Sequence, residues 1–207
     1  MKVKVCGTRQ PSNIQALAAL DVDMLGFIFY KKSSRYIGDT APMDLSTIEQ
    51  DKVGVFVNEP MPTLLELVGK FSLDYVQLHG DESPAYCQNL KSVWPSVKLI
   101  KAFSVDEAFD FASTQAYELY CDYFIFDTKG TQRGGNGITF DWKLLHSYQG
   151  MTPFLLSGGI SAEMATAIRS LAIPQLAGVD INSCFEEEAG LKDVALVQSF
   201  VKELKSI

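Results

Sequence analysis

Lys2-Val3-Lys4-Val5-Cys6 and Met24-Leu25-Gly26-Phe27-Ile28-Phe29 decide how this chain is read. Each is a short run rich in β-branched, aliphatic and aromatic residues, of strand rather than helix length. Runs of the same kind return at 52–57, 74–78, 97–102, 122–126, 152–156 and 177–181, eight in all. Residues at or just past their ends fall at 6, 30, 58, 79, 102, 127, 157 and 182, a mean interval of about 25. Hairpins need only short loops. An interval this long leaves room for a helix in each gap, the βαβ pattern of a parallel sheet.

The gaps carry helix signals. Ser12 with Gln15 predicts a capping box beside Ile14, Leu17 and Ala18. Ser83-Pro84 predicts an N-cap with proline at the first helical position. Ser104 with Glu107 predicts a second capping box, with Val105, Ala108, Phe109 and Ala112 as the apolar stripe. Ser161 predicts the cap of a helix carrying Ala162, Ala165, Ile168 and Leu171. Leu191, Val194, Val197, Val201 and Leu204 stand at helical spacing near the C-terminus. Between the second and third runs only Leu45 and Ile48 indicate a short helix. Eight strand–helix units predict a closed (βα)8 TIM barrel of eight parallel strands, one domain over residues 1–207. An open doubly wound sheet is the alternative.

Composition narrows the function. The 207 residues are 47% hydrophobic and 21% charged, ordinary for a chain burying about 70% of its unfolded surface. A net charge of −7 argues against a broad grip on nucleic acid, which needs a basic surface. The start of the chain has no long apolar segment, and no run approaches a membrane span, so no membrane partner is expected. Cysteines at 6, 87, 121 and 184 have no C-x-x-C spacing, and only His79 and His146 accompany them. No metal site is expected, and a reduced, cytoplasmic chain is the plain reading.

In a barrel of this kind the C-terminal ends of the strands build the active site. Cys6 ends the first strand beside Gly7. It reads as a small buried hydrophobe, or as a base if nearby positive charge favours its thiolate. Asp127 follows the apolar run 123–126 and reads as a helix cap, a partner for Lys129, or a proton donor at the barrel mouth. Gly158-Gly159 after the seventh strand is a tight turn or a phosphate contact. Asn182-Ser183 after the eighth strengthens the second reading, because those two loops form the common barrel phosphate site. The stretch 134–137 is a further backbone contributor or simply a loop, and no Walker lysine follows it. Arg35, in a basic loop with Lys31 and Lys32, is solvated surface or a fork for a carboxylate. His79 reads as a satisfied polar core residue or a pocket member. His146, Trp94, Trp142 and the other cysteines read as structural.

The motifs resemble phosphoribosylanthranilate isomerase. They are Lys4-Val5-Cys6-Gly7, Gly26-Phe27-Ile28-Phe29-Tyr30 with Ser33 and Arg35, and Val53-Gly54-Val55-Phe56-Val57-Asn58. Val76-Gln77-Leu78-His79-Gly80-Asp81-Glu82 and Phe126-Asp127-Thr128-Lys129 follow, with Gly134-Gly135 and Phe140-Asp141-Trp142. Leu156-Ser157-Gly158-Gly159-Ile160 and Gly178-Val179-Asp180-Ile181-Asn182-Ser183, with Phe185-Glu186 and Lys192-Asp193, complete the series. They run from first strand to last helix in the family's order. Lys31, Ser34, Asn136 and Cys184 depart from its pattern, Cys184 as a side chain that would narrow the phosphate loop.

The resemblance implies a barrel enzyme of tryptophan biosynthesis acting on a small-molecule phosphosugar anthranilate, as monomer or homodimer. The implied reaction is the Amadori rearrangement of N-(5-phosphoribosyl)anthranilate to 1-(2-carboxyphenylamino)-1-deoxyribulose 5-phosphate. It implies Asp127 as general acid, Cys6 as general base and Arg35 as the carboxylate contact. His79 and Asp180 match pocket positions, and Gly158, Gly159, Asn182 and Ser183 match the phosphate loops. The implied chemistry calls for no cofactor. An aldose–ketose isomerase of the histidine pathway would want an acid where Cys6 stands. Indole-glycerol-phosphate synthase would want a lysine acid, for which Lys101 alone is thin support. A non-enzymatic phosphate-binding barrel would need neither Cys6 nor Asp127.

Overall fold

The computed structural model describes residues 1–128 and 141–206; Lys129, the stretch 130–137 and Phe140 lie outside them. Eight parallel strands close into a barrel in chain order. They are β1 (Lys2–Cys6), β2 (Met24–Ile28), β3 (Asp51–Phe56), β4 (Tyr75–Leu78), β5 (Lys98–Val105), β6 (Tyr123–Thr128), β7 (Phe154–Leu156) and β8 (Leu176–Ile181). Closure is carried by β8 lying parallel to β1, with Lys4 opposite Asp180 and Lys2 opposite Gly178. The open-sheet alternative is thereby excluded.

The period-two alternation of each strand sorts its side chains between two cores. Val3, Val5, Val76, Leu78, Phe124, Phe126, Val179 and Ile181 face outward into the layer shared with the helices. Met24, Val53, Tyr75, Ile100, Ala102, Ile125 and Leu155 fill the barrel interior. Burying each large apolar side chain stabilises the fold by about 1.5–3 kcal/mol. A one-residue slip would exchange the two faces of a strand, so this alternation fixes register. It also fixes which residues at the strand tops point inward: Cys6, Gln77, Asp127, Ser157 and Asp180 share the inward parity of their strands.

The crossovers depart from the sequence expectation. Helix α1 (Pro11–Ala18) starts at Pro11, and its cap residue Gln10 makes no side-chain cap bond. Ser12 therefore lies inside the first turn, where Pro11 supplies the helical φ without needing a donor. Helix α2 (Met61–Lys70) follows β3, α3 (Pro84–Val93) follows β4, and α5 (Val194–Lys205) closes the chain. Ser83 caps α3 as expected, accepting from Tyr86 N–H, and Asp193 caps α5 by accepting from Leu196 N–H. No capping box forms at Ser104. Residues to Val105 continue β5, because Ser104 and Val105 pair with Asp127 and Thr128 of β6. The crossover is instead a 3-10 helix, Phe111–Tyr117, capped by Asp110. A 3-10 helix at Trp142–Ser147 lies between β6 and β7, and a short one at Leu45–Thr47 follows β2. The segment after Ser161 is a 3-10 turn, Ala162–Met164, running into the five-residue α4 (Ala165–Arg169). A two-stranded hairpin, β9 (Glu186–Glu188) and β10 (Leu191–Lys192), stands between β8 and α5.

Candidate active site

A cleft open to solvent, about 760 Å³ when its solvent-filled mouth is counted, lies at the C-terminal ends of the strands. All nine residues singled out in the sequence line it: Cys6, Arg35, His79, Asp127, Gly158, Gly159, Asp180, Asn182 and Ser183. Ile28, Val55 and Val57 add an apolar wall. Lys101 does not line it; its ammonium bonds the Leu78, Gly80 and Ala102 carbonyls beside Glu82. Neither His146 nor Cys184 is among the residues that line it.

Cys6 is the last residue of β1 and is buried against Gly26 of β2, where a Cβ would stand 2.9 Å from its sulfur. Burial pushes its thiol up, while the ammonium groups of Lys4 and Lys192 pull it down. Lys4 is two residues back on the same inward face and fully buried. Its Nζ donates to Asp180 Oδ1 at 2.8 Å across the seam between β1 and β8. Burial works against the Lys4 charge, but Asp180 and Cys6 outweigh it and hold the ammonium above its ordinary range. Asp180 is thus committed first to Lys4.

Asp127 sits near the end of β6, buried, with Oδ2 3.5 Å from His79 Nε2. Gln77 Nε2 lies 2.9 Å from His79 Nδ1. With the amide as donor, Nδ1 accepts and Nε2 is the ring nitrogen that faces Asp127. The Gln77 carbonyl oxygen is buried without a hydrogen-bond partner among the described residues, on the cavity wall.

Arg35 is part of a fixed structure rather than a loose basic loop. Its Nε donates to Glu186 Oε1 at 2.8 Å and its Nη2 to Oε2 at 2.6 Å. This two-pronged bond raises the guanidinium further. Burial works against the Glu186 charge, yet Arg35 and Lys192 hold its carboxyl below the usual range. Nη1 makes no bond to a described residue, and Arg35 borders the cavity.

Gly158 and Gly159 both take left-handed backbone, with φ 89° and 63°. A Cβ on Gly158 would run into Thr128, so the bare backbone lets β6 and the turn after β7 meet. Successive left-handed residues can present N–H groups to an anion. The helix expected to add its field there amounts to one 3-10 turn and five α-helical residues, so the turn itself is the stronger feature. Asn182 Oδ1 accepts from Lys192 Nζ at 2.6 Å.

Sequence reasoning assigned no role to Lys4, Gln77, Glu186 and Lys192. The signal for Lys4 was present: a lysine alternating with Val3 and Val5, two residues before Cys6, must point into the barrel. Glu186 gave no such signal, because its partner Arg35 is distant in the chain, and Lys192 joins that pair only through Glu186 and Asn182. Among the described residues, no group of three His, Cys, Asp or Glu side chains is placed to hold a metal.

A family model described as N-(5'phosphoribosyl)anthranilate (PRA) isomerase matches residues 3–203. The N-(5'-phosphoribosyl)anthranilate isomerase of Parabacteroides distasonis is 45% identical over 208 residues, spanning 99% of this chain and 93% of the relative. The solved phosphoribosyl anthranilate isomerase of Thermotoga maritima superposes with TM-score 0.87 at 31% identity, each chain covered in full. A phosphoribosyl anthranilate isomerase solved with reduced 1-(o-carboxyphenylamino)-1-deoxyribulose 5-phosphate superposes with TM-score 0.80 at 27% identity, again over both full chains. Barrel, cavity and relatives agree, and the chain belongs to the phosphoribosylanthranilate isomerase family, the isomerases of tryptophan biosynthesis.

Proposed function

We propose that this isomerase converts N-(5-phosphoribosyl)anthranilate to 1-(2-carboxyphenylamino)-1-deoxyribulose 5-phosphate, with Asp127 as general acid and Cys6 as general base. Asp127 gives its proton to the ribose ring oxygen as the C1′–O bond breaks. The nitrogen lone pair fills the vacancy and forms an iminium at C1′. That electron sink acidifies the C2′ proton, which the Cys6 thiolate removes. The C2′–H electrons form C1′=C2′ and the iminium electrons return to nitrogen. The enol then loses its hydroxyl proton and gains one at C1′, giving the 2-ketone. Proton count and oxidation level balance within the substrate, so none of these steps calls for a cofactor.

One observation carries this reading: Cys6 from the first strand and Asp127 from the sixth line a single cavity with Arg35 and the Gly158-Gly159 turn. Lys4 supplies positive charge beside the thiolate, and His79 orients the Asp127 carboxyl. Arg35 would take the anthranilate carboxylate through its Nη1 edge. The glycine turn, with Asn182 and Ser183, would take the phosphate. Anchoring both anionic ends turns binding energy into orientation of the reacting carbons.

Cys6→Ala and Asp127→Asn should each lower turnover by about 10²–10⁴-fold while the protein stays folded, the usual worth of a positioned acid or base. Loss of phosphoribosylanthranilate fluorescence measures this, together with complementation of a tryptophan auxotroph lacking only this step. Near-normal turnover in either variant removes that residue from its role.

A further inference from the structure

The hairpin formed by β9 and β10 contributes two buried charges that do not line the cavity. Lys192 Nζ donates to Glu186 Oε1 at 2.6 Å and to Asn182 Oδ1 at 2.6 Å. Both side chains of the Lys192–Glu186 pair are buried, at 0% and 5% exposure. The Lys192 backbone is held in both directions by Asn13, whose Oδ1 accepts from Lys192 N–H and whose Nδ2 donates to the Lys192 carbonyl. Both Glu186 oxygens are occupied: Oε1 accepts from Arg35 Nε, Lys192 Nζ and Gly190 N–H, and Oε2 from Arg35 Nη2.

Burying such charges is costly, and an apolar pair of similar volume would serve stability as well. Their arrangement answers a different need. Arg35, Glu186 and Lys192 together leave one uncompensated positive charge beside the cavity of a chain whose net charge is −7. The two-pronged bond fixes the plane of the Arg35 guanidinium, which an arginine bonded at one atom would not have. Arg35 and Asn182 also meet over Gly7, where an added Cβ would lie 2.7 Å from Arg35 Cδ and 3.0 Å from Asn182 Oδ1.

We propose that Glu186 and Lys192 are positioning residues for both anionic ends of the substrate. Glu186 presents the Nη1 edge of Arg35 to the carboxylate. Lys192, bonded to Glu186 and Asn182 at once, ties that contact to the phosphate loop. The inference rests on the roles proposed above for Arg35 and Asn182.

The test uses the reduced product analogue, its counterpart lacking the carboxylate, and its counterpart lacking the phosphate, titrated calorimetrically. In the unaltered protein, removing the carboxylate should weaken binding at least tenfold. Arg35→Ala should abolish that ratio. Glu186→Gln should reduce it to threefold or less while leaving the phosphate ratio intact. Glu186→Asp, which keeps the charge but withdraws the prongs, should behave like Glu186→Gln. Lys192→Met should shrink both ratios. Circular dichroism verifies folding, and the two Glu186 variants decide the matter if Lys192→Met does not fold. Collapse of the ratio in Arg35→Ala with an unaltered ratio in folded Glu186→Gln overturns the positioning role alone. An unaltered ratio in Arg35→Ala overturns the carboxylate assignment, and the positioning role with it.

Discussion

The thiol of Cys6 is reactive only as its anion, and two forces act on that anion. Burial disfavours it, and the Lys4 ammonium favours it. Burial is the larger, so the thiolate of the free enzyme forms only above the ordinary thiol range, and the rate of Cys6 alkylation by a small reagent should climb with it on the alkaline side. The double variant Lys4→Met/Asp180→Asn replaces the buried ion pair by neutral groups of similar size. Lys4 acts on Cys6 more strongly than Asp180 opposes it, so the climb should move to higher pH. A pH–rate profile of both proteins reads the displacement, and coincident profiles would leave Lys4 no part in setting the thiolate. Arg35→Ala should weaken the reduced product analogue by about 10-fold or more, from loss of a charge-assisted contact of roughly 1.5–3 kcal/mol. Unaltered affinity in a titration would reject the contact.

At the scale of elements, the outward faces of β5, β6 and β7 are covered unusually. Among the described residues the crossovers after β5 and β6 carry 3-10 helices, which present less apolar stripe than an α-helix of equal length. Aromatic packing makes up the difference. Phe126 on β6 meets Phe111 at 5.1 Å, Tyr148 at 5.2 Å and Phe154 at 4.9 Å between ring centroids. Phe126→Ala should therefore cost about 3–5 kcal/mol, read as a lowered urea midpoint. A loss below about 1 kcal/mol would mean the cluster collapses to fill the gap. The capping motif at Ser104 and Glu107 was legible as a helix start and was overridden. A local cap contributes about 1 kcal/mol, and the chain instead extends the β5–β6 ladder to Val105.

The whole molecule depends on one seam, where the last strand returns to the first. At Gly178 a Cβ would collide with the Lys2 carbonyl, so β1 and β8 approach there only because no side chain intervenes. Gly178→Val should overpack the seam and cost about 1–3 kcal/mol, measured by urea unfolding. Since Lys4 and Asp180 face each other two residues further along that seam, the same variant should also disturb the surroundings of Cys6. Among the described residues no helix is long and apolar enough to cross a membrane, and the apolar content goes into the two barrel layers.

Eight strands, their parallel order and the residues at their tops were all readable in the linear chain. Strand signals are local: β-branched and aromatic runs with period-two alternation need no knowledge of partners. The family's motifs, spread from Cys6 to Asn182, marked residues that the fold gathers into one cavity. The register in which β8 meets β1, the 3-10 crossovers, and the linkage from Arg35 through Glu186 to Lys192 were decided only in three dimensions. Each depends on which distant groups meet, and the free energy of burying and pairing them outweighs the small local preferences a sequence displays.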